Sequence, residues 1–220
     1  MIYTDDFLRR QPILKELNIL ALSHAFVVDG HSVVEGNLVY DHPLSSVDDP
    51  FNGDFFEKRF NLFRLAENKK SIMEIGFNAG HSTLIMLLAS PQAAFTLFDL
   101  NFHRYTEPCF LLLKRKFPDM AIEYGDSGVV IPEFIAAHPD AKFGLIHADG
   151  SHEFERAKTD FESSRKLSTK ETVVVFDDTT PGNLIDGFLT EKVRQGTIKL
   201  VDRNVLGLKN TPLQTIFSFT

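Results

Sequence analysis

The chain has 220 residues, 43% of them hydrophobic and 24% charged, which suits one sizeable α/β domain and is short for two. A formal net charge of −7 argues against an extended nucleic-acid footprint, and the single cysteine, Cys109, excludes an intramolecular disulfide or a thiolate zinc cluster. With no apolar run of membrane-spanning length and no signal-peptide start, the expectation is a soluble, cytoplasmic protein with neither a membrane nor a nucleic-acid partner.

In chain order, Leu8, Ile13, Leu14, Leu17 and Leu20 predict helix over residues 5–22, with Pro12 in the first turn or between two short helices. Residues 24–42 read as extended segments and turns, and SSVDDPFNG (45–53) as a polar loop. Phe51, Phe55, Phe56, Phe60 and Phe63 recur at helical spacing, as for one helix face packed on a sheet edge; that face is also a candidate homodimer contact. From residue 71, strand and helix alternate. Strands are expected over 71–76, 95–100, 120–124, 143–149 and 172–177, and helices over 82–89, 105–116, 127–137 and 153–167. A last helix, 184–193, precedes two β-rich segments at 198–202 and 214–219. Short apolar strands separated by helices imply a doubly wound, mostly parallel sheet covered on both faces. With no repeat or linker, the chain reads as a single domain, 1–70 forming a helical extension or lid and 71–220 the core.

The densest signal is IMEIGFNAGHST, residues 72–83. An apolar strand carrying Glu74 ends in a turn bracketed by Gly76 and Gly80, with Phe77 and Asn78 between them. A helix then starts at His81, Ser82 and Thr83. Glycines let backbone approach a ligand, and the free N–H groups of a helix start receive its polar or anionic end. The spacing E-x-G-x-x-x-G differs from the dinucleotide fingerprint G-x-G-x-x-G, which counts against an NAD-dependent oxidoreductase.

Ligands of open parallel sheets bind beyond the carboxyl ends of the strands, so the residues standing there are informative. FTLFDL ends in Asp99 and Leu100, and a carboxylate there can accept both hydroxyls of a ribose. IEYGDS ends in Asp126 and Ser127, short polar side chains suited to an adenine edge or to capping the next helix; for Ser127 both roles stay open. GLIHADGSHEFE and VVVFDDTTPGN bring Asp149, His152, Asp177 and Asp178 to neighbouring strand ends. Three converging carboxylates need a compensating cation, and an all-oxygen set suits a hard ion such as Mg²⁺, with Asn183 as a further candidate ligand. The alternative is structural: Asp178 and Thr179 cap the turn before the last helix while Asp149 bonds backbone amides. His147, in an otherwise apolar strand, reads as a core or pocket-wall residue ahead of a second base, and His81 as part of the glycine turn.

The turn at 72–83 resembles the first motif of class I S-adenosylmethionine (SAM)-dependent methyltransferases. More specifically, Asp149-Gly150-Ser151-His152-Glu153-Phe154-Glu155 and the later Phe176-Asp177-Asp178-Thr179 resemble the methyltransferase-24 type, similar to metal-dependent sugar and small-molecule O-methyltransferases. The resemblance spans roughly residues 71–183. It implies a Rossmann-like seven-stranded sheet of order 3-2-1-4-5-7-6. It further implies SAM as cofactor, held by Glu74, Gly76, Phe77, Asn78, Gly80, Ser82, Thr83, Asp99, Leu100, Asp126, Ser127 and Asp149. By the same resemblance Mg²⁺ or another divalent cation sits on Asp149, Asp177 and Asp178, and His152 is the general base acting on a hydroxylated small-molecule acceptor. Two rivals remain at this level: a metal-independent SAM methyltransferase, and a SAM- or nucleotide-binding protein without catalysis.

Overall fold

A computed structural model describes residues 2–28, 31–35, 37–40 and 46–220. The expected polar stretch around Ser45 and the end of the preceding extended segment, 41–45, lie outside the described residues. Helices α1 (Asp5–Arg9) and α2 (Pro12–His24) are separate, because the Thr4 side chain caps the first and Pro12 opens the second. A short antiparallel pair, β1 (Phe26–Val28) and β2 (His31–Val33), leads through a 3₁₀ turn (Gly53–Phe55) into α3 (Phe56–Ala66).

The five-phenylalanine face is only partly helical. Asn52 accepts from the Asp54 amide and starts the 3₁₀ turn, so Phe51 and Phe55 precede α3, and Phe51 stands in an isolated bridge with Tyr40. Phe56, Phe60 and Phe63 do share a face, and the ring of Tyr3 covers it at centroid distances of 6.1, 6.5 and 5.4 Å. Next to them the Arg59 side chain is fully buried; it pairs with both Asp5 oxygens at 2.7 and 3.0 Å and donates to the carbonyls of Leu38 and Asn52.

The core strands are β3 (Ser71–Ile75), β4 (Ala94–Asp99), β5 (Met120–Tyr124), β6 (Leu145–Ala148), β7 (Val173–Asp177), β8 (Ile198–Leu200) and β9 (Gln214–Phe219). Their order across the sheet is β5-β4-β3-β6-β7-β9-β8, parallel except for β9, which runs antiparallel between β7 and β8. Counted within the sheet this is 3-2-1-4-5-7-6, as expected. The connecting helices are α4 (His81–Ala89), α5 (Thr106–Lys116), α6 (Ser127–Ala137), α7 (Phe154–Lys166) and α8 (Leu184–Arg194). Two apolar clusters cover the two faces. Ile72, Leu97, Leu145 and Val175 face the layer of α2, α3, α4 and α5, while Met73, Phe98, Ile146 and Val174 face α6, α7 and α8. Burial on both sides explains the almost continuous apolar strands.

Phenylalanine fills much of the second layer. Phe161 of α7 lies 5.1 to 6.4 Å from the rings of Phe176, Phe188, Phe217 and Phe219. Among the described residues, no helix is long and apolar enough to cross a membrane.

Candidate active site

The order of the parallel strands reverses about β3, which pairs with β4 on one side and β6 on the other, so a crevice opens at the carboxyl ends of these strands. Gly76 sits there at φ +91°, and a Cβ on it would lie 2.0 Å from the Asp149 carbonyl oxygen. Only glycine lets the ends of β3 and β6 approach this closely. Asn78 also takes a left-handed φ, 53°, and its amide donates to Asp99 Oδ2 at 2.7 Å. The other Asp99 oxygen accepts from the Asn101 amide at 2.7 Å, so the carboxylate is locked in orientation at the end of β4.

Two adjoining cavities occupy the crevice and share Gly76, Asn78, His103, Asp149 and Gly150 as walls. The larger, about 450 Å³, is lined by buried Ile75 and Phe98 and by exposed Leu100 and Phe102, with Asp99, Asp126, Ser127 and Arg156 around it. Asp126, not Ser127, caps α6: its Oδ1 accepts from the Gly128 amide at 2.8 Å, and its Oδ2 pairs with Arg156 at 2.6 Å. The second cavity, about 370 Å³, runs from Phe77, Ala79 and Ser82 of the glycine turn to His152, Asp177 and Asp178. Glu35, Asn37, Leu38, Phe55 and Lys58 of the N-terminal extension close its far side.

Glu74 and Thr83 line neither cavity. Both are fully buried, and the Thr83 hydroxyl donates to Glu74 Oε2. Glu74 Oε1 meets His147 Nδ1 at 2.8 Å. These two residues are register partners on adjacent strands, each two positions beyond the paired Ile72 and Leu145, and so point to the same face. Burial alone would lower the His147 pKa, but the hydrogen bond and charge of Glu74, followed by the charges of Asp149 and Asp177, raise it to about 9. His147 is therefore the cationic half of a buried ion pair and not a neutral wall residue. One of its nitrogens, one Asp149 oxygen and one Asp177 oxygen all lie within 4.8 Å of one another.

The three expected metal-site carboxylates fall into two overlapping groups that share Asp149: Asp177 joins it beside His147, and Asp178 joins it beside His152. Atoms of Asp149, His152 and Asp178 lie within 4.8 Å of one another, and His152 Nε2 stands 3.4 Å from Asp178 Oδ2. Burial and then the charge of Asp177 push the Asp149 carboxyl well above the usual range, while His147 and Lys58 oppose the rise. Asp178 sits at φ 51°, a left-handed backbone that aims its side chain back at the cluster. Asn183 is not among the ligands: its Oδ1 accepts from the Asp186 amide and caps α8, and its Nδ2 donates to the Asp178 carbonyl.

The pattern along the strands gave no sign of Lys58. Its ammonium, carried by α3, lies 2.5 Å from Asp177 Oδ2 and 3.0 Å from Asp178 Oδ1, with the side chain 5% exposed. Burial opposes its charge, but Asp177, Asp149 and Asp178 outweigh that and hold the lysine protonated. The donor set fits a hard divalent cation. One lysine faces three carboxylates, His147 is already matched by Glu74, and the buried Asp177 Oδ1 has no partner. His103, in the loop after β4, lines both cavities, while Glu35 and Arg156 escaped the sequence reading, because neither a loop position nor one turn of a polar helix face carries a period that marks a site.

The methyltransferase-24 family model, described as a methyltransferase domain, matches residues 73–179, just under half of the chain. No curated protein matches it by sequence. Several solved structures share the fold. An O-methyltransferase from Bacillus cereus in complex with S-adenosylhomocysteine superposes with a TM-score of 0.62 at 14% identity, covering 96% of this chain and 91% of that one. The O-methyltransferase TomG of Streptomyces achromogenes, in complex with SAM, gives 0.55 at 15% identity over 74% and 78% of the two chains. The calicheamicin-biosynthesis enzyme CalS11 gives 0.56 at 18% identity over 73% and 77%.

Proposed function

We propose that this chain, whose residues 73–179 match the methyltransferase-24 model, is a class I SAM-dependent methyltransferase that methylates a hydroxyl oxygen of a polar small molecule, with Mg²⁺ or a similar divalent cation at the acceptor. The observation that carries this reading is the meeting of Asp149, His152 and Asp178 within 4.8 Å, in the cavity that begins at the glycine turn. The polar walls of that cavity suit a hydroxylated acceptor better than a flat apolar one. The relatives' names point the same way: CalS11 is a TDP-rhamnose 3'-O-methyltransferase, and TomG is involved in tomaymycin synthesis.

SAM, when bound, supplies a methyl group on a cationic sulfonium. We assign the 450 Å³ cavity to its adenosine, with Asp99 on the ribose hydroxyls and Asp126 and Ser127 along the adenine edge above Ile75, Phe98 and Leu100. The 76–80 turn, Ser82 and the first N–H groups of α4 receive the methionine end. Glu74 and Thr83 serve that end from beneath, by fixing the start of α4 to β3. A divalent cation held by Asp149, Asp177 and Asp178 would polarise the acceptor hydroxyl and orient it towards the methyl carbon. His152 Nε2 takes the hydroxyl proton; the electron pair left on oxygen forms the new bond to the methyl carbon as the carbon–sulfur bond breaks, its pair going to sulfur and leaving neutral S-adenosylhomocysteine. Donor cation and developing oxyanion neutralise each other in transfer, so walls that exclude water favour the reaction. A second reading, transfer without a metal, is favoured by Lys58, which already brings a positive charge to Asp177 and Asp178.

Titration with S-adenosylhomocysteine, with and without Mg²⁺, followed by labelled methyl transfer to a panel of sugars and phenols, tests both readings. His152→Ala should cut turnover by about 10²–10⁴-fold while leaving S-adenosylhomocysteine affinity in place. Asp177→Asn should depress metal-supported turnover more than cofactor binding. Turnover indifferent to that change and to EDTA removes the metal.

A further inference from the structure

A lysine is rarely buried without a partner, and Lys58 is placed with unusual economy. It stands on α3, outside the matched span 73–179, and reaches across to the end of β7 with its ammonium 5.2 Å from the Phe55 ring. Two of its three donors are spent on Asp177 Oδ2 and Asp178 Oδ1. The remaining Asp177 oxygen, Oδ1, is buried and unpartnered, so the lysine satisfies only half of that carboxylate. One ammonium faces three acidic side chains, Asp149, Asp177 and Asp178, and the Glu74–His147 pair balances itself, so the cluster holds more acid than base.

Reading this cluster as the cation site, we infer that Lys58 is a resident counter-ion that competes with the divalent cation for Asp177 and Asp178 and so sets how tightly that cation is held. Magnesium binds carboxylate oxygens at about 2.0–2.1 Å and demands a near-octahedral shell. An ammonium 2.5 and 3.0 Å from oxygens of two of the three carboxylates occupies part of that shell and repels the ion that would complete it. Cation binding therefore requires the Lys58 head group to move away from Asp177, Asp178 or both. Since α3 follows directly on the 3₁₀ turn that carries Phe55 into the same cavity, displacement of Lys58 also disturbs the acceptor wall.

The experiment measures Mn²⁺ binding directly, by loss of the free-ion electron paramagnetic resonance signal, on wild type, Lys58→Met and Lys58→Arg. The Met variant should bind Mn²⁺ at least tenfold more tightly than wild type, and the Arg variant no more tightly. Equal affinity of wild type and the Met variant within twofold, weaker binding by the Met variant, or no binding by any of the three overturns the inference. Should the Met variant fail to fold, Lys58→Gln is measured in its place, with the same outcomes. A parallel calorimetric titration with S-adenosylhomocysteine keeps the two levels apart. Failure of that ligand to bind wild type would refute the cofactor assignment and leave the Mn²⁺ comparison standing.

Discussion

His81 opens α4 beside the glycine turn, and the network around it settles its tautomer. Asn18 Nδ2 donates to the Tyr40 hydroxyl at 2.6 Å, so Asn18 Oδ1 is free to accept from His81 Nε2–H, 2.9 Å away. The ring is 3% exposed, and burial lowers its pKa from 6.5 to about 4. The sign follows from proton counting. Below pH 6.5 the unfolded chain takes up a proton that the folded chain refuses until about pH 4, so stability is complete above 6.5 and is lost as pH falls between the two values. Over the whole window the loss is about 3 kcal/mol, and between pH 7.5 and 5.0 it is about 2 kcal/mol. Urea unfolding of wild type and His81→Gln at those two pH values isolates the effect, since glutamine places an amide nitrogen near Nε2 and does not titrate. Wild type should lose about 2 kcal/mol more than the variant on acidification, or about 4–8 °C more in Tm for a chain of this size. Parallel pH profiles for the two proteins would refute the assignment of a neutral buried His81.

The other predictions concern the same crevice. Glu74→Gln leaves the His147 imidazolium buried without its anion and should destabilise the fold by about 3 kcal/mol or more in urea unfolding; a change under 1 kcal/mol would show the pair is not held as described. Asp99→Ala should weaken S-adenosylhomocysteine at least tenfold by calorimetry, about 1.4 kcal/mol, and equal affinity would remove the ribose assignment. Gly76→Ala puts a methyl group 2.0 Å from the Asp149 carbonyl oxygen in a left-handed conformation. Both Tm and cofactor affinity should fall, and retention of either contradicts the close approach of β3 and β6.

Much of the sheet was legible because its strands are short, apolar and punctuated. The expected segment 120–124 is β5 itself, and 127–137 is α6. The strand order followed from the resemblance at 71–183, not from the periods, since periodicity says nothing about which strands are neighbours. Residues at the ends of consecutive strands, such as Asp99, Asp149 and Asp177, were legible for a topological reason: parallel strands deliver their carboxyl ends to one edge. Lys58 was not, because 119 positions separate it from Asp177 and nothing in a helix pattern says which distant acid a buried lysine meets. Glu74 was read as a cofactor contact; it is buried and lines neither cavity, and its partner His147 could be found only once β3 and β6 were known to be in register. The capping role open for Ser127 fell to its neighbour Asp126, a choice that turns on one residue of helix boundary.

Arg59 carries one more consequence. Its guanidinium ties together α1, the carbonyl of Leu38, the turn at Asn52 and α3, the same stretch that supplies the far wall of the 370 Å³ cavity proposed for the acceptor. That wall and its foundations are thus a single mechanical piece. An engineer wishing to change the acceptor should exchange everything before β3 as one block, carrying Asp5 and Arg59 across together. Replacing it loop by loop would strand a guanidinium in the interior before any new substrate had been tried.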